Sequence, residues 1–112
     1  NRAKAMYWYR RAYRNGCASA ANNIGTIFRD EDEPETALAW FERAIRMGDD
    51  DAHLEIAKLY LGPLGDMRKA VVQLRRTIAG VVVCEASRDE ARMMLKKTLA
   101  AKSRTQVALR QF

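Results

Sequence analysis

The stretch Glu35-Thr36-Ala37-Leu38-Ala39-Trp40-Phe41-Glu42-Arg43-Ala44-Ile45-Arg46-Met47-Gly48 decides the reading of the fold, because it occurs twice. At a distance of 32 positions, Ala3 to Gly16 carries the same pattern: Ala5 stands for Ala37, Trp8 for Trp40, Tyr9 for Phe41, Arg11 for Arg43, Ala12 for Ala44 and Gly16 for Gly48. The register continues past the glycine, with Ala20 on Ala52, Ile24 on Ile56, Ile27 on Leu59 and Phe28 on Tyr60. Self-similarity at such a period marks a helical repeat array, whose units bury their apolar faces only against one another. A third, weaker copy follows: Ala70, Leu74 and Arg76 lie 33 positions after Ala37, Phe41 and Arg43, and Gln73 stands where Trp40 stood.

Working outward, Ala5, Trp8, Tyr9, Ala12 and Tyr13 form a stripe at helical spacing, and Gly16 suits a helix end. A second helix is predicted from about Ala18 to Arg29, with Ile24, Ile27 and Phe28 on its core face and Gly25 at a close crossing. Pro34, after Asp30 to Glu33, fits the first turn of the third helix. Asp49, Asp50 and Asp51 are expected to cap a fourth helix over Ala52 to Leu61. Gly62-Pro63-Leu64-Gly65-Asp66 is a break, and a fifth helix starts near Met67. Gly80 to Ala86 reads equally as an extended loop or as two more turns of helix. Ser87 and Glu90 have capping-box spacing for a sixth helix with a stripe of Ala91, Leu95 and Leu99. Residues 102–112 are either an extension of that helix or a frayed tail.

These residues resemble the Sel1-like repeat, a branch of the tetratricopeptide superfamily. Ala20, Ile24, Gly25 and Phe28 resemble its Ala…Leu-Gly…Tyr helix, as do Ala52, Ile56, Ala57 and Tyr60. Ala5, Trp8, Tyr9, Ala12 and Gly16 resemble its Trp-Tyr helix, as do Ala37, Trp40, Phe41, Ala44 and Gly48. The resemblance implies an all-α superhelix of about three stacked helical hairpins, a single domain over 1–112. It also implies that Trp8, Tyr9, Trp40 and Phe41 fill the seams between layers. The chain opens on Asn1 rather than methionine, and its first helix lacks a preceding partner, so we expect a piece of a longer array.

The 112 residues are 48% hydrophobic and 30% charged, with two prolines, which suits a globular helical chain and excludes a disordered one. Residues 1–29 hold six bases and no acid, 30–55 ten acids and two bases, and 56–112 twelve bases and four acids. That order fits association between segments as well as polyanion binding, so the net charge of +6 does not by itself imply nucleic acid. No apolar run approaches the roughly 20 residues of a membrane-spanning helix.

The chemistry-bearing residues are sparse. His53 is the lone histidine and has no ligand-spaced partner. The acid runs Asp30 to Glu33 and Asp49 to Asp51 lack the alternation of a calcium loop. Cys17 and Cys84 fall in turns two layers apart and read as two free thiols. Arg11, Arg43 and Arg76 form a ladder at layer spacing whose stems are expected to lie on apolar surface. No phosphate loop or nucleophile elbow is present.

We therefore expect a non-catalytic module without cofactor or metal, serving as a scaffold or adaptor that binds another protein or a peptide segment. The rivals are a nucleic-acid-binding helical array and a non-catalytic module of a larger enzyme. Neither compartment nor oligomeric state is legible. By resemblance, the Leu-Gly helices line the concave side of such an array. Subtracting their packing stripes leaves Asn22, Thr26 and Arg29, then Lys58, then Met93 and Lys97 as the expected partner-binding residues, where amides and cations would meet an extended acidic segment.

Overall fold

The structure is a computed structural model that describes residues 1–110; of the expected tail, Gln111 and Phe112 lie outside the described residues. Among those described, the chain is all-α. Six helices follow in order: α1 (Arg2–Arg14), α2 (Ala18–Asp30), α3 (Pro34–Arg46), α4 (Ala52–Leu61), α5 (Met67–Ala79) and α6 (Glu85–Arg110).

The turns show why the sequence repeats. Gly16 follows α1 at φ 89°, and its N–H donates to Tyr13 O at 2.9 Å while Cys17 N–H donates to Ala12 O at 3.0 Å. After α3 the arrangement recurs: Gly48 sits at φ 103°, with Gly48 N–H to Ile45 O and Asp49 N–H to Ala44 O, both 2.9 Å. This paired closure satisfies carbonyls left open at a helix end, and its left-handed residue favours glycine. Asp32, at φ 62°, plays the same part after α2. After α4 the turn is longer, because Pro63 has no N–H to give, and Gly65 takes the left-handed position at φ 60°. The extra residue in Gly62 to Asp66 changes the repeat spacing from 32 to 33.

Each helix packs on the next, and alternate helices also meet. The Tyr13 ring of α1 lies edge-on to Trp40 of α3, centroids 5.0 Å apart. The Arg29 guanidinium of α2 pairs with the Glu55 carboxylate of α4, and Lys58 of α4 reaches Glu90 of α6. Two apolar clusters result. The first joins Met6, Ala21, Ile24, Trp40, Phe41 and Ile56 with their neighbours; the second joins Leu54, Ala57, Leu74 and Ala91. α4 belongs to both, so it is buried on two sides. The stack is elongated, 55 × 29 × 20 Å, with a radius of gyration of 15.6 Å against about 13 Å for a sphere-like domain of this length.

Close crossings explain the small residues. A Cβ on Gly25 would lie 2.6 Å from the Phe41 ring, so α2 approaches α3 only with glycine there. One repeat on, the pair becomes Ala57 and Leu74, a larger residue against a smaller one, and both are fully buried.

Four expectations are corrected. Trp8 does not fill a seam: it is 58% exposed, with only Tyr7 and Arg11 of its own helix beside the ring, whereas its counterpart Trp40 is 9% exposed, edge-on to Tyr13 of α1 and under Arg43. Ser87 is not a cap, since α6 begins at Glu85 and Gly80 to Cys84 is loop. Leu99 is largely exposed and Thr98 is buried in its place, with its Oγ1 donating to Met94 O at 2.8 Å. Leu99 lies instead on the side of α6 that borders Met67, Val71 and Val72 of α5. The Asp49 to Asp51 run meets the start of α4 through one side chain only: Asp49 Oδ1 accepts the Asp51 N–H at 3.2 Å, whereas Asp51, at the N-cap itself, makes no side-chain cap bond. The other two carboxylates, Asp50 and Asp51, accept from the N–H groups of Val82 and Cys84, at 3.3 and 3.2 Å, and so tie down the loop before α6.

Candidate partner-binding surfaces

The expected face on α2, α4 and α6 splits into engaged and open residues. Arg29 pairs with Glu55 and also reaches Asp30 at 3.4 Å. Lys58 Nζ stands 3.7 Å from Glu55 and 3.3 Å from Glu90. The result is a chain of alternating charge, Arg29–Glu55–Lys58–Glu90, across three helices. Each link is partly exposed and contributes only ~0–1 kcal/mol, and together they join α2, α4 and α6 along one face. Glu55 and Glu90 are thus the intramolecular acids that Arg29 and Lys58 meet. Glu55 was the residue missed by sequence reasoning; its three-residue spacing to Lys58 was the available signal.

Thr26 spends its hydroxyl on Asn22 O at 3.2 Å, as side chains of this type do within helices. Asn22 is half-buried, and its Oδ1 has no hydrogen-bond partner among the described residues. Its side chain faces the Asp49 carboxyl, whose pKa is raised by burial first and by the neighbouring Asp51 charge second; Asn22 partly offsets this. Met93, 60% exposed, and Lys97 on α6 remain open.

Two further surfaces lie at the ends of the stack. On α1, Tyr7 and Trp8 are both more than half exposed and touch edge-on at 5.2 Å, with the Arg11 guanidinium 5.6 Å from the Trp8 ring. Between α5 and α6 runs a groove of about 400 Å³. Its floor is Met67, Val71, Val72 and Leu99, and its rim is Arg68, Arg75 and Lys102. This groove was not foreseen, because it depends on Leu99 facing outward.

The arginine ladder resolves by the same stacking. Arg43 covers the Trp40 ring at 4.4 Å, as Arg11 covers Trp8, while Arg76 is exposed and has Gln73 three residues before it instead of a ring.

Both cysteines are free and exposed. Each thiol lies beside a serine hydroxyl, Cys17 by Ser19 at 3.2 Å and Cys84 by Ser87 at 3.1 Å. The Ser19 hydroxyl, followed by the Ala20 backbone N–H, holds the Cys17 thiol below its ordinary pKa. Among the described residues, no three His, Cys, Asp or Glu side chains converge as metal ligands, and no helix is long and apolar enough to cross a membrane.

Comparison of the chain with protein-family models, with curated proteins and with solved structures matched nothing.

Proposed function

We propose that this chain is a non-catalytic interaction scaffold built from Sel1-like helical repeats, three hairpins deep, that holds a segment of another protein. The repeat reading is supported by the recurrence of one turn geometry at Gly16 and Gly48, 32 residues apart, and by the matched Gly25–Phe41 and Ala57–Leu74 crossings. In such an array the repeated residues are packing residues, and function falls to what the layers leave uncovered.

The observation that carries the interaction reading is the groove between α5 and α6. Its apolar floor and three cationic rim residues suit an amphipathic helix with acidic flanks, the helix-in-groove mode of recognition. The α2/α4/α6 face is a weaker site than its sequence implies, because an incoming carboxylate there would compete with Glu55 and Glu90 for Arg29 and Lys58.

The test is selection from a displayed peptide library on the purified chain, followed by amide shift mapping with a selected peptide. Acidic amphipathic peptides that shift Val71, Val72 and Leu99, and that lose binding in an Arg68→Ala, Arg75→Ala variant, support the proposal. Shifts confined to Asn22, Met93 and Lys97 would move the site to the α2/α4/α6 face. If no peptide is selected and single-stranded RNA binds with a steep salt dependence instead, the chain is a nucleic-acid-binding array.

A further inference from the structure

The chain contains the same seam twice, and the two copies differ in a way that creates a pocket. In the first seam, between α1 and α3, Tyr13 meets Trp40 edge-on, Arg43 covers the indole at 4.4 Å and Ala21 of α2 packs in the same cluster. The space left beside Tyr13, Trp40, Arg10 and Arg14 is about 140 Å³. In the second seam, between α3 and α5, every one of these positions has a counterpart. Ile45 replaces Tyr13, Gln73 replaces Trp40, Arg76 replaces Arg43, His53 replaces Ala21, and Glu42 and Arg46 replace Arg10 and Arg14.

An apolar Trp–Ala pair has therefore become a hydrogen-bonded Gln–His pair, His53 Nδ1 to Gln73 Oε1 at 2.7 Å. The exchange removes an indole and opens a cavity of about 220 Å³. The apolar side of that cavity is Ile45 and Ile56, and Tyr60 lies at its margin. Arg76 keeps the place of a ring-stacking arginine but has no ring to cover. Among the described residues, neither Arg76 nor Arg46 is ion-paired. Glu42 is the acid that lines the cavity, and it stands against two guanidiniums, Arg46 and Arg76, so the charged rim is net positive.

We propose that this second-seam pocket binds a planar aromatic carboxylate, whose ring takes the place of the absent indole under Arg76 and whose acid group meets Arg46. The chemistry follows from what the seam lacks: a flat π surface for a guanidinium, against an apolar wall, with a second guanidinium for an anion. His53 and Gln73 are held in place by their mutual hydrogen bond, so the pocket is formed before the ligand arrives. This inference does not rest on the scaffold reading, and its failure would leave the α5/α6 groove untouched.

The test uses indole-3-carboxylate as the free ligand and acetyl-Glu-Trp-amide as a peptide carrying the same two groups. Both are titrated into the full chain and followed by NMR at the His53 ring, the Gln73 side-chain amide and the Arg76 Nε–H. Saturable shifts at these groups are expected, and Arg76→Gln should weaken binding by about tenfold, the size of a lost cation–π contact with its charge. The variant His53→Ala, Gln73→Trp rebuilds the first seam in the second; it should remain folded by circular dichroism and bind neither probe. Tighter binding of the free acid identifies a small-molecule ligand, and tighter binding of the peptide identifies a partner's side chain. No saturable shift with either probe, or equal binding by the rebuilt variant, overturns the proposal. If Arg76→Gln proves unfolded, Arg46→Gln takes its place, and unchanged affinity in that variant overturns it equally.

Discussion

Equivalent residues in this chain have unequal weight, and the two tryptophans measure the difference. Trp40 is enclosed by Tyr13, Arg43 and the first cluster, so Trp40→Ala should cost about 3–5 kcal/mol of stability. Trp8, at the same repeat position but more than half exposed, should cost under about 1 kcal/mol when replaced by Ala, chiefly through its stack with Arg11. Urea unfolding of the two variants checks this, and equal losses would contradict it. Asp49 gives a second residue-scale test. Burial and Asp51 raise its folded pKa, so folding takes up a proton in the window just above the ordinary carboxylate range, and stability falls as pH rises through that window. The charged carboxylate therefore works against folding at neutral pH. Asp49→Asn should be more stable than the parent at pH 7, with the advantage shrinking as the pH falls through the window. An advantage independent of pH, measured by thermal melts across that range, would contradict the assignment.

At the scale of elements, the acid run before α4 acts on a distant loop. Asp50 and Asp51 accept from Val82 and Cys84, more than 30 residues away, so the double variant Asp50→Ala, Asp51→Ala should speed amide exchange at Val82 and Cys84 while leaving α1 to α3 unchanged. Unaltered exchange at those two amides would mean the loop is held some other way. This clamp also marks where sequence reasoning ended. Helices α1 to α5 were legible because their stripes repeat and Gly16 and Gly48 mark the ends of α1 and α3, and Ala37, Phe41 and Ala44 report burial through their spacing alone. The start of α6 was not, because Ser87 offers a cap that the chain does not use once the loop is anchored from Asp50 and Asp51. The face on α2, α4 and α6 was legible as to position but not as to state. Arg29 and Lys58 read as open cations until Glu55 and Glu90 are seen beside them, and that pairing depends on the rotation of three helices.

At the scale of the molecule, the helices form an elongated body of 55 × 29 × 20 Å. Its large exposed apolar side chains include Tyr7 and Trp8 on α1, and Val72 and Leu99 beside the groove on α5 and α6. The second seam departs from the first by an exchange that is visible in the sequence only as Gln73 for Trp40; that His53 answers it from α4 required the fold. All of these readings depend on one claim, that alternate helices are neighbours, with α1 lying on α3 and α4 braced against α2 and α6. The most direct measurement is a NOESY spectrum of the chain with its aromatic rings assigned. The account predicts cross-peaks between the Tyr13 ring and the Trp40 indole, whose centroids are 5.0 Å apart on helices that are not consecutive in the chain. Tyr13 cross-peaks confined to α1 and α2, with Trp40 reporting contacts only to α3 and α4, would contradict it.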